Sequence, residues 1–242
     1  MKELYSNAIT DPSLDELNEF ARWYNEKLGN YPVIVGGWAV YCYTKGLGSK
    51  DIDVVFLGDA AKHKTLFDYF RGHGYAERRR SLFDKEFVKL NDGVEIIIDA
   101  VSSNRTIIFE GRKARLPWSW AVRHSTLHSI GTSKIYIPEI ELLMTYKLGA
   151  ILGRNLLLRT GLEFEYYRSK LWKDVFDVIS LSGLKIDQKG LNGFLARSGL
   201  DEYANEILNI IRDNLDEEMN SLIKDASVEK LGKLLIGSQS TR

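Results

Sequence analysis

The chain has 242 residues, and its 33 lysines and arginines are balanced by 33 aspartates and glutamates. This balance excludes a globally basic surface for nucleic acid, although a local basic patch is still compatible with it. The single cysteine, Cys42, excludes an internal disulfide and a cysteine-rich zinc site. No apolar run has the length of a membrane span, and the first residues carry no apolar signal-type stretch. We therefore expect a cytoplasmic globular protein with no membrane partner.

The first segments alternate between helix and strand patterns. Apolar residues at helical spacing predict a helix after Pro12, in which Ser13 and Glu16 form a capping box and Gly29 follows the last turn. The β-rich run YPVIV leads through Gly36–Gly37 into a short helical segment. KDIDVVFLG then has the pattern of a strand, and AAKHKTLFDYFRGHGY has that of a helix.

Further β-type runs follow before the pattern changes. SLFDKEFVKL and VEIIIDAVS flank the turn signal Asn91–Asp92–Gly93 and predict a hairpin, with RTIIFEGRKARL and the short strand KIYIP after it. From Pro138 onward the segments carry helical periodicity, and no β-like run appears. The sequence therefore predicts an α/β half and an all-helical half that meet near residue 137.

Two carboxylates and two glycines form the most informative pattern. Asp51 and Asp53 follow Gly36–Gly37 after thirteen residues, and they share one face of the predicted strand. Carboxylates at this spacing can hold one Mg²⁺ ion together or divide a pair of ions. Glycines at a strand-to-helix turn let backbone N–H groups approach a phosphate. The alternatives are that the two glycines form only a tight turn and that the two acids are exposed on an edge strand. The apolar run Val54–Val55–Phe56 instead indicates a buried strand, and carboxylates in a buried strand need a metal or a basic partner.

A third acid follows in the run VEIIIDAV. Glu95, Ile97 and Asp99 share one face of this predicted strand. If Asp99 lay beside Asp51 and Asp53 in a neighbouring strand, the three carboxylates would complete a metal site. Glu95 is the competitor on the same face. We favour Asp99, because Glu95 is close to the predicted hairpin turn, where its side chain can be solvated.

This succession of elements resembles the DNA polymerase β-type nucleotidyltransferase superfamily. The string GGWAV is similar to the aminoglycoside and lincosamide nucleotidyltransferases, and SKDID, with Ser49 two residues before the first acid, looks like the abortive-infection and toxin-type members. Specific motifs cover residues 30–102, and a weaker likeness continues beyond them. The resemblance implies an α+β fold with a small mixed β-sheet flanked by helices in a catalytic domain, residues 1–137, and an all-helical domain, residues 138–242.

The resemblance also implies a reaction: transfer of NMP from an NTP to a hydroxyl acceptor, with release of pyrophosphate. Asp51, Asp53 and Asp99 would be the catalytic and metal-binding residues. They would hold two Mg²⁺ ions, or Mn²⁺, and Asp99 would also accept the proton of the acceptor. The residues that would contact the phosphates through backbone N–H groups or a hydroxyl are Gly36, Gly37 and Ser49.

Two positions in the helical half resemble nucleotide-binding elements of the toxin-type enzymes. Lys147 would contact the triphosphate, and Asp174, in the segment KDVFD, would belong to a helix that closes the nucleotide cleft. The structural alternative is a solvated helix face, on which Lys173 and Asp177 would be surface charges. Both interpretations stay open for Lys147 and Asp174.

The acceptor is not specified by these motifs. It would be RNA or a protein, as for toxin-type enzymes with a cognate antitoxin, or a small molecule such as an aminoglycoside. The stretch GRKARLPWSWAVRHS, with Trp118 and Trp120 among cations, predicts an acceptor-binding loop or a hydrophobic hinge. Arg78–Arg80 favours a solvated loop, and His124 and His128 have helical spacing for zinc without a third ligand.

An alternative function is a nucleotide-binding regulatory module of the same fold that has lost transfer activity. Loss of one acid would be its expected mark, whereas all three candidate acids are present.

Overall fold

A computed structural model describes residues 2–57, 60–79, 85–91, 93–161, 163–223 and 228–236. The helices are α1 (Asn7–Leu28), α2 (Gly36–Thr44), α3 (Ala60–Gly72), α4 (Ser119–Arg123), α5 (Ile140–Leu158), α6 (Phe164–Ser182), α7 (Gln188–Ser198), α8 (Ala204–Asp213), α9 (Glu217–Leu222) and α10 (Val228–Ile236). The strands are β1 (Val33–Val35), β2 (Asp51–Phe56), β3 (Ala76–Arg79), β4 (Lys85–Asn91), β5 (Val94–Ser102), β6 (Thr106–Ile108), β7 (Arg115–Pro117), β8 (Ser125–Ile130) and β9 (Ser133–Pro138).

Seven strands form one mixed sheet in the order β3-β4-β5-β2-β1-β9-β8, and β6 pairs with β7 in a separate two-stranded sheet. The pairs β2–β5 and β1–β9 are parallel, whereas the remaining pairs of the large sheet are antiparallel. The predicted α+β class, a mixed sheet with helices followed by a helical region, is confirmed. No helix within the described ranges combines the length and apolar character needed to cross a membrane.

The sequence did not predict the strands at the two edges of the sheet, β3 and β8. Arg78, which we expected in a loop, lies in edge strand β3, while Arg80 lies outside the described residues. His128 lies in the other edge strand, β8, and His124 lies between α4 and that strand. The two histidines therefore do not share one helix, which was the condition for a zinc site at this spacing. The polar strands were missed because an edge strand needs only one buried face.

The chain forms two compact units. The sheet unit comprises Lys2–Thr106 and Pro117–Glu139, and the helical unit comprises Ile107–Leu116 and Ile140–Arg242. The segment Ile107–Leu116 packs tightly on α5, because a Cβ at Gly149 would lie 2.5 Å from Leu116 Cδ1. Our sequence boundary near residue 137 assigned this segment to the first half. The division into domains 1–137 and 138–242 stays a prediction.

Strand alternation in β2 and β5 separates an apolar face of the sheet from a polar one. Ile52, Val54 and Ile98 are almost completely buried on the apolar face. Phe87 of β4 pairs with Ile98 and therefore shares this face. Its ring stacks 4.2 Å from Phe70 of α3. Because this face carries the core, the aspartates of the same strands project from the opposite face.

Helix α1 has a different start from the one predicted. It begins six residues before Ser13, so the expected capping box is wrong. Ser13 accepts a hydrogen bond of 3.1 Å from Trp38 Nε1, and Glu16 accepts one of 2.6 Å from the Tyr75 hydroxyl as well as one from Lys89. Burial and the bonded carboxylate of Glu16 raise the pKa of Tyr75. Both polar side chains therefore bind partners distant in sequence rather than the helix end.

Cys42 of α2 gives a prediction for alkaline pH. Burial raises the pKa of its thiol to about 11, whereas an unfolded cysteine titrates near about 8.5. The folded state therefore holds this proton more tightly, and the resulting stabilisation is complete below about pH 8.5 and is lost as the pH rises through about 11. We expect the free energy of unfolding in urea to fall by up to about 3 kcal/mol over this range.

The matched control is Cys42→Ala, in which the buried tyrosines still titrate but the thiol is gone. Its free energy of unfolding should fall less steeply between about pH 9 and 11. Equal slopes in the two proteins would show that the thiol titrates normally.

Candidate active site

The glycine turn joins β1 directly to α2. Gly36 is the first residue of α2 and has φ +66°, a backbone conformation that glycine adopts at no steric cost. A Cβ at this position would overlap the carboxylate of Asp53. The Asp53 carboxylate therefore lies against the first residue of α2, at the end of the helix that favours negative charge. Position 36 requires glycine for two independent reasons.

The pairing of β2 with its neighbours places Asp53 between Val35 of β1 and Asp99 of β5. Directly paired residues project from the same face, and neighbouring strands lie roughly 4.8 Å apart. Asp51 is on that face as well, pairs with Ile97, and is only 8% exposed. The structure thus brings the three predicted acids together on one face, while their catalytic roles stay a prediction.

Glu95 lies on the same face but in a different environment. It is beyond Ile97 on β5, and its side chain is 41% exposed. Lys50 Nζ lies 3.8 Å from Glu95 Oε1, and Arg78 Nη1 lies 3.6 Å from Glu95 Oε2. Between the two candidates for the third carboxylate, the strand pairing favours Asp99 because Asp99 is the direct partner of Asp53.

Sequence reasoning missed one acid of this face, Glu86 of β4. It pairs with Asp99 and is 4% exposed. Arg78 Nε donates a hydrogen bond of 3.0 Å to Glu86 Oε2, and Arg78 Nη2 lies 3.0 Å from the same oxygen. No local signal in β4 indicates it, because Phe87 lies on one face of this strand and Val88 and Leu90 lie on the other. The face of Glu86 becomes clear only from the pairing across the hairpin. We call this surface the acid face; its carboxylates belong to Asp51, Asp53, Glu86, Glu95 and Asp99.

The donor types of the acid face suit Mg²⁺ or Mn²⁺. Both ions take oxygen ligands, and two carboxylates on adjacent strands are close enough to coordinate the same ion. Within the described ranges, no group of three or more histidine, cysteine, aspartate or glutamate side chains is gathered as a metal cluster. Because like charges repel, the carboxylates are expected to turn toward one another only around a cation.

The two other predicted phosphate contacts of the sheet unit lie close to the acids in sequence. Gly37 is buried in the first turn of α2. Ser49 is 7% exposed and lies two residues before Asp51, at the start of β2. Their roles toward a phosphate stay predictions.

The predicted residues of the helical unit form what we call the α5–α6 ion-pair cluster. Lys147 Nζ lies 2.8 Å from Asp174 Oδ1 and 2.7 Å from Asp177 Oδ2. Lys173 also pairs with Asp177, and Arg154 with Asp174. All of these except Arg154 are buried, so the solvated-face interpretation of Lys173 and Asp177 is wrong. Nucleotide contacts by Lys147 and Asp174 stay a prediction.

No family model and no curated protein matches the chain. Six chains of solved structures do match. One of them is an antigenic nucleotidyltransferase-like protein from Paracoccidioides brasiliensis. It is 15% identical, with a TM-score of 0.47, and the match covers 84% of this chain and 93% of that one.

The tryptophan-containing stretch does not form one loop. Its first part, up to Leu116, belongs to the helical unit, and its second part, from Pro117, belongs to the sheet unit. In the first part, Arg112 pairs with Glu206 at 2.7 Å, and its guanidinium stacks 4.9 Å from the ring centre of Tyr203. The stretch therefore passes from one unit to the other, and both of its interpretations, acceptor-binding loop and hinge, stay predictions. These two contacts of Arg112 are with residues of its own unit.

Proposed function

We propose that the chain is a Mg²⁺-dependent nucleotidyltransferase, which transfers an NMP group from an NTP to a hydroxyl acceptor and releases pyrophosphate. The observation that carries this proposal is the position of Asp53, paired with Asp99 on one side and held against Gly36 on the other. It supports the proposal because adjacent carboxylates and the start of a helix are the two elements needed to bind a metal-complexed triphosphate.

Each residue of the sheet unit would have a distinct task. Asp51, Asp53 and Asp99 would hold Mg²⁺, which supplies charge neutralisation for the triphosphate when bound. The backbone N–H groups at Gly36–Gly37 would bind phosphate oxygens, with the Ser49 hydroxyl as a further donor. Asp99 would accept the proton of the acceptor hydroxyl. The acceptor oxygen would then bond to the α-phosphorus while the bond to pyrophosphate breaks.

The helical unit contributes less support. A nucleotide contact by Lys147 would compete with the carboxylates of Asp174 and Asp177, at 2.8 and 2.7 Å. The acid face therefore carries the proposal, and Lys147 and Asp174 are secondary candidates within it.

The test is transfer of label from α-labelled NTPs in Mg²⁺ to a panel of RNAs, proteins and small alcohols, with pyrophosphate release followed in parallel. We expect Asp53→Ala to lower transfer at least about 1,000-fold, or about 4 kcal/mol, because it removes charge stabilisation at the reacting phosphate. Asp68→Ala is the matched control, since this acid of α3 is 53% exposed, and it should retain full activity. NTP binding without transfer to any acceptor would instead favour the regulatory module.

A further inference from the structure

One row of directly paired residues crosses five strands of the acid face. In order across β3, β4, β5, β2 and β1, these residues are Arg78, Glu86, Asp99, Asp53 and Val35. Gly36 follows Val35, so the glycine turn lies at one end of the row and an arginine lies at the other. With strands roughly 4.8 Å apart, the Cα atoms of Arg78 and Asp99 are about 10 Å apart.

Arg78 is held in a defined orientation by two acids. Nε and Nη2 both approach the buried Oε2 of Glu86 at 3.0 Å, and Nη1 lies 3.6 Å from Glu95. The side chain of Glu86 is 5% exposed, whereas that of Arg78 is 43% exposed. A guanidinium has five N–H donors, and the contacts with Glu86 and Glu95 among the described residues use only some of them, so the others can bind a further ligand. Its planar fork suits a phosphate particularly well.

The charges around Arg78 also limit what can bind there. Glu86 and Glu95 face Arg78, and Lys50 lies 3.8 Å from Glu95. Among the described side chains, the carboxylates of Glu86 and Glu95 are thus paired with the cations of Arg78 and Lys50 on this side of Asp99. These ion pairs reduce the negative charge that would attract a cationic acceptor.

We propose that Arg78, positioned by Glu86, binds a phosphate group of the acceptor and thereby selects an acceptor that carries phosphate near its hydroxyl. This inference rests on the proposed function, in which Asp99 faces the acceptor and Gly36 faces the triphosphate. Arg78 is then on the acceptor side of the row. The phosphodiester of an RNA and the phosphate of a small sugar phosphate share this chemistry.

The experiment compares Arg78→Gln, Glu86→Gln and the control Arg71→Gln, an arginine of α3 whose side chain is 63% exposed. Acceptors are a short mixed-sequence RNA, ribose 5-phosphate and kanamycin. We expect Arg78→Gln to raise the KM of the phosphate-bearing acceptor at least tenfold, with kcat and the KM of the NTP unchanged. Glu86→Gln should raise the same KM by a smaller factor, because it weakens the ion pair that orients the guanidinium but keeps the arginine. Arg71→Gln should change neither the KM of the acceptor nor the KM of the NTP.

The two acceptor sources and the two proposals give different results. Transfer to RNA alone assigns a phosphodiester, and transfer to ribose 5-phosphate assigns a small phosphate. Preferred transfer to kanamycin, or an acceptor KM unaffected by Arg78→Gln, would overturn the inference while leaving the nucleotidyltransferase intact. If the wild type transfers to nothing, the proposed function fails. Fluorescence anisotropy of the labelled RNA then tests the phosphate contact without any transfer. Equal RNA affinity of the wild type and Arg78→Gln would reject the contact.

A merely structural role for Arg78 predicts a different outcome. Loss of the ion pair would lower the free energy of unfolding without separating the two KM values. Arg78→Lys keeps the charge beside Glu86 but removes the fork, so it should remain folded and still raise the acceptor KM. A wild-type KM in a folded Arg78→Lys protein would also count against the proposal.

Discussion

A Gly36→Ala variant is expected to lose transfer activity to the same extent as Asp53→Ala and to be less stable than the wild type. Gly36 has φ +66°, which costs an L-residue about 1–2 kcal/mol. The new Cβ would also overlap the Asp53 carboxylate, so either this side chain or the start of α2 must move. Transfer from α-labelled NTP and urea unfolding measure the two losses.

Gly29→Ala is the matched control for this prediction. Gly29 also has φ +66°, but a Cβ there would meet no atom within 4 Å. It therefore reports the backbone cost alone, and its transfer activity should equal that of the wild type. The excess cost of Gly36→Ala over Gly29→Ala measures the contact with Asp53. If the two substitutions have equal costs and both proteins stay active, Asp53 is not held against the glycine turn.

The acid face shows which parts of the site are readable from sequence. Alternation within two buried strands indicates that Asp53 and Asp99 each lie opposite the apolar face, because a one-residue slip would turn Ile98 outward. That the two strands are neighbours and that these two residues pair directly is seen only in the structure. Glu86 needed more information. Its strand carries apolar residues on both faces, so the face that Glu86 occupies is decided by its pairing across the hairpin, and its partner Arg78 lies in a polar edge strand. Neither property has a strong local signal.

In the helical half, the contacts of the candidate residues could not be predicted from the sequence. Lys147 and Asp174 are far apart in sequence, and their contact depends on how α5 packs against α6. Charged residues at helical spacing normally indicate a solvent-exposed face. A contrary signal was present, because Trp172 and Phe176 alternate with the charges along α6, and a helix that is apolar on several sides is usually buried. Sequence alone could indicate this burial but not the partners.

The α5–α6 ion-pair cluster leads to the second large effect, for Asp177→Ala. Asp177 is fully buried, and its carboxylate lies between the ammonium groups of Lys147 and Lys173. Removing it leaves the two buried cations beside Asp174, whose carboxylate Arg154 also contacts. Breaking a buried ion pair in this way typically costs about 3–5 kcal/mol, a large part of the stability of an ordinary domain. Urea unfolding followed by far-ultraviolet circular dichroism measures the cost.

The controls separate charge from shape. Asp213→Ala, at an exposed position of α8, should change the free energy of unfolding by no more than about 0.5 kcal/mol. Lys147→Met combined with Asp177→Leu removes one charge of each sign and fills the space with apolar atoms, so it should cost less than Asp177→Ala. If the double variant is less stable than Asp177→Ala, the attraction between the charges of the cluster itself stabilises the helical unit. If it is more stable, the cluster only requires that each buried charge have a partner of opposite sign. A small cost for Asp177→Ala would mean that water reaches Lys147 and Lys173, and only then would Lys147 be accessible to a triphosphate without breaking the cluster.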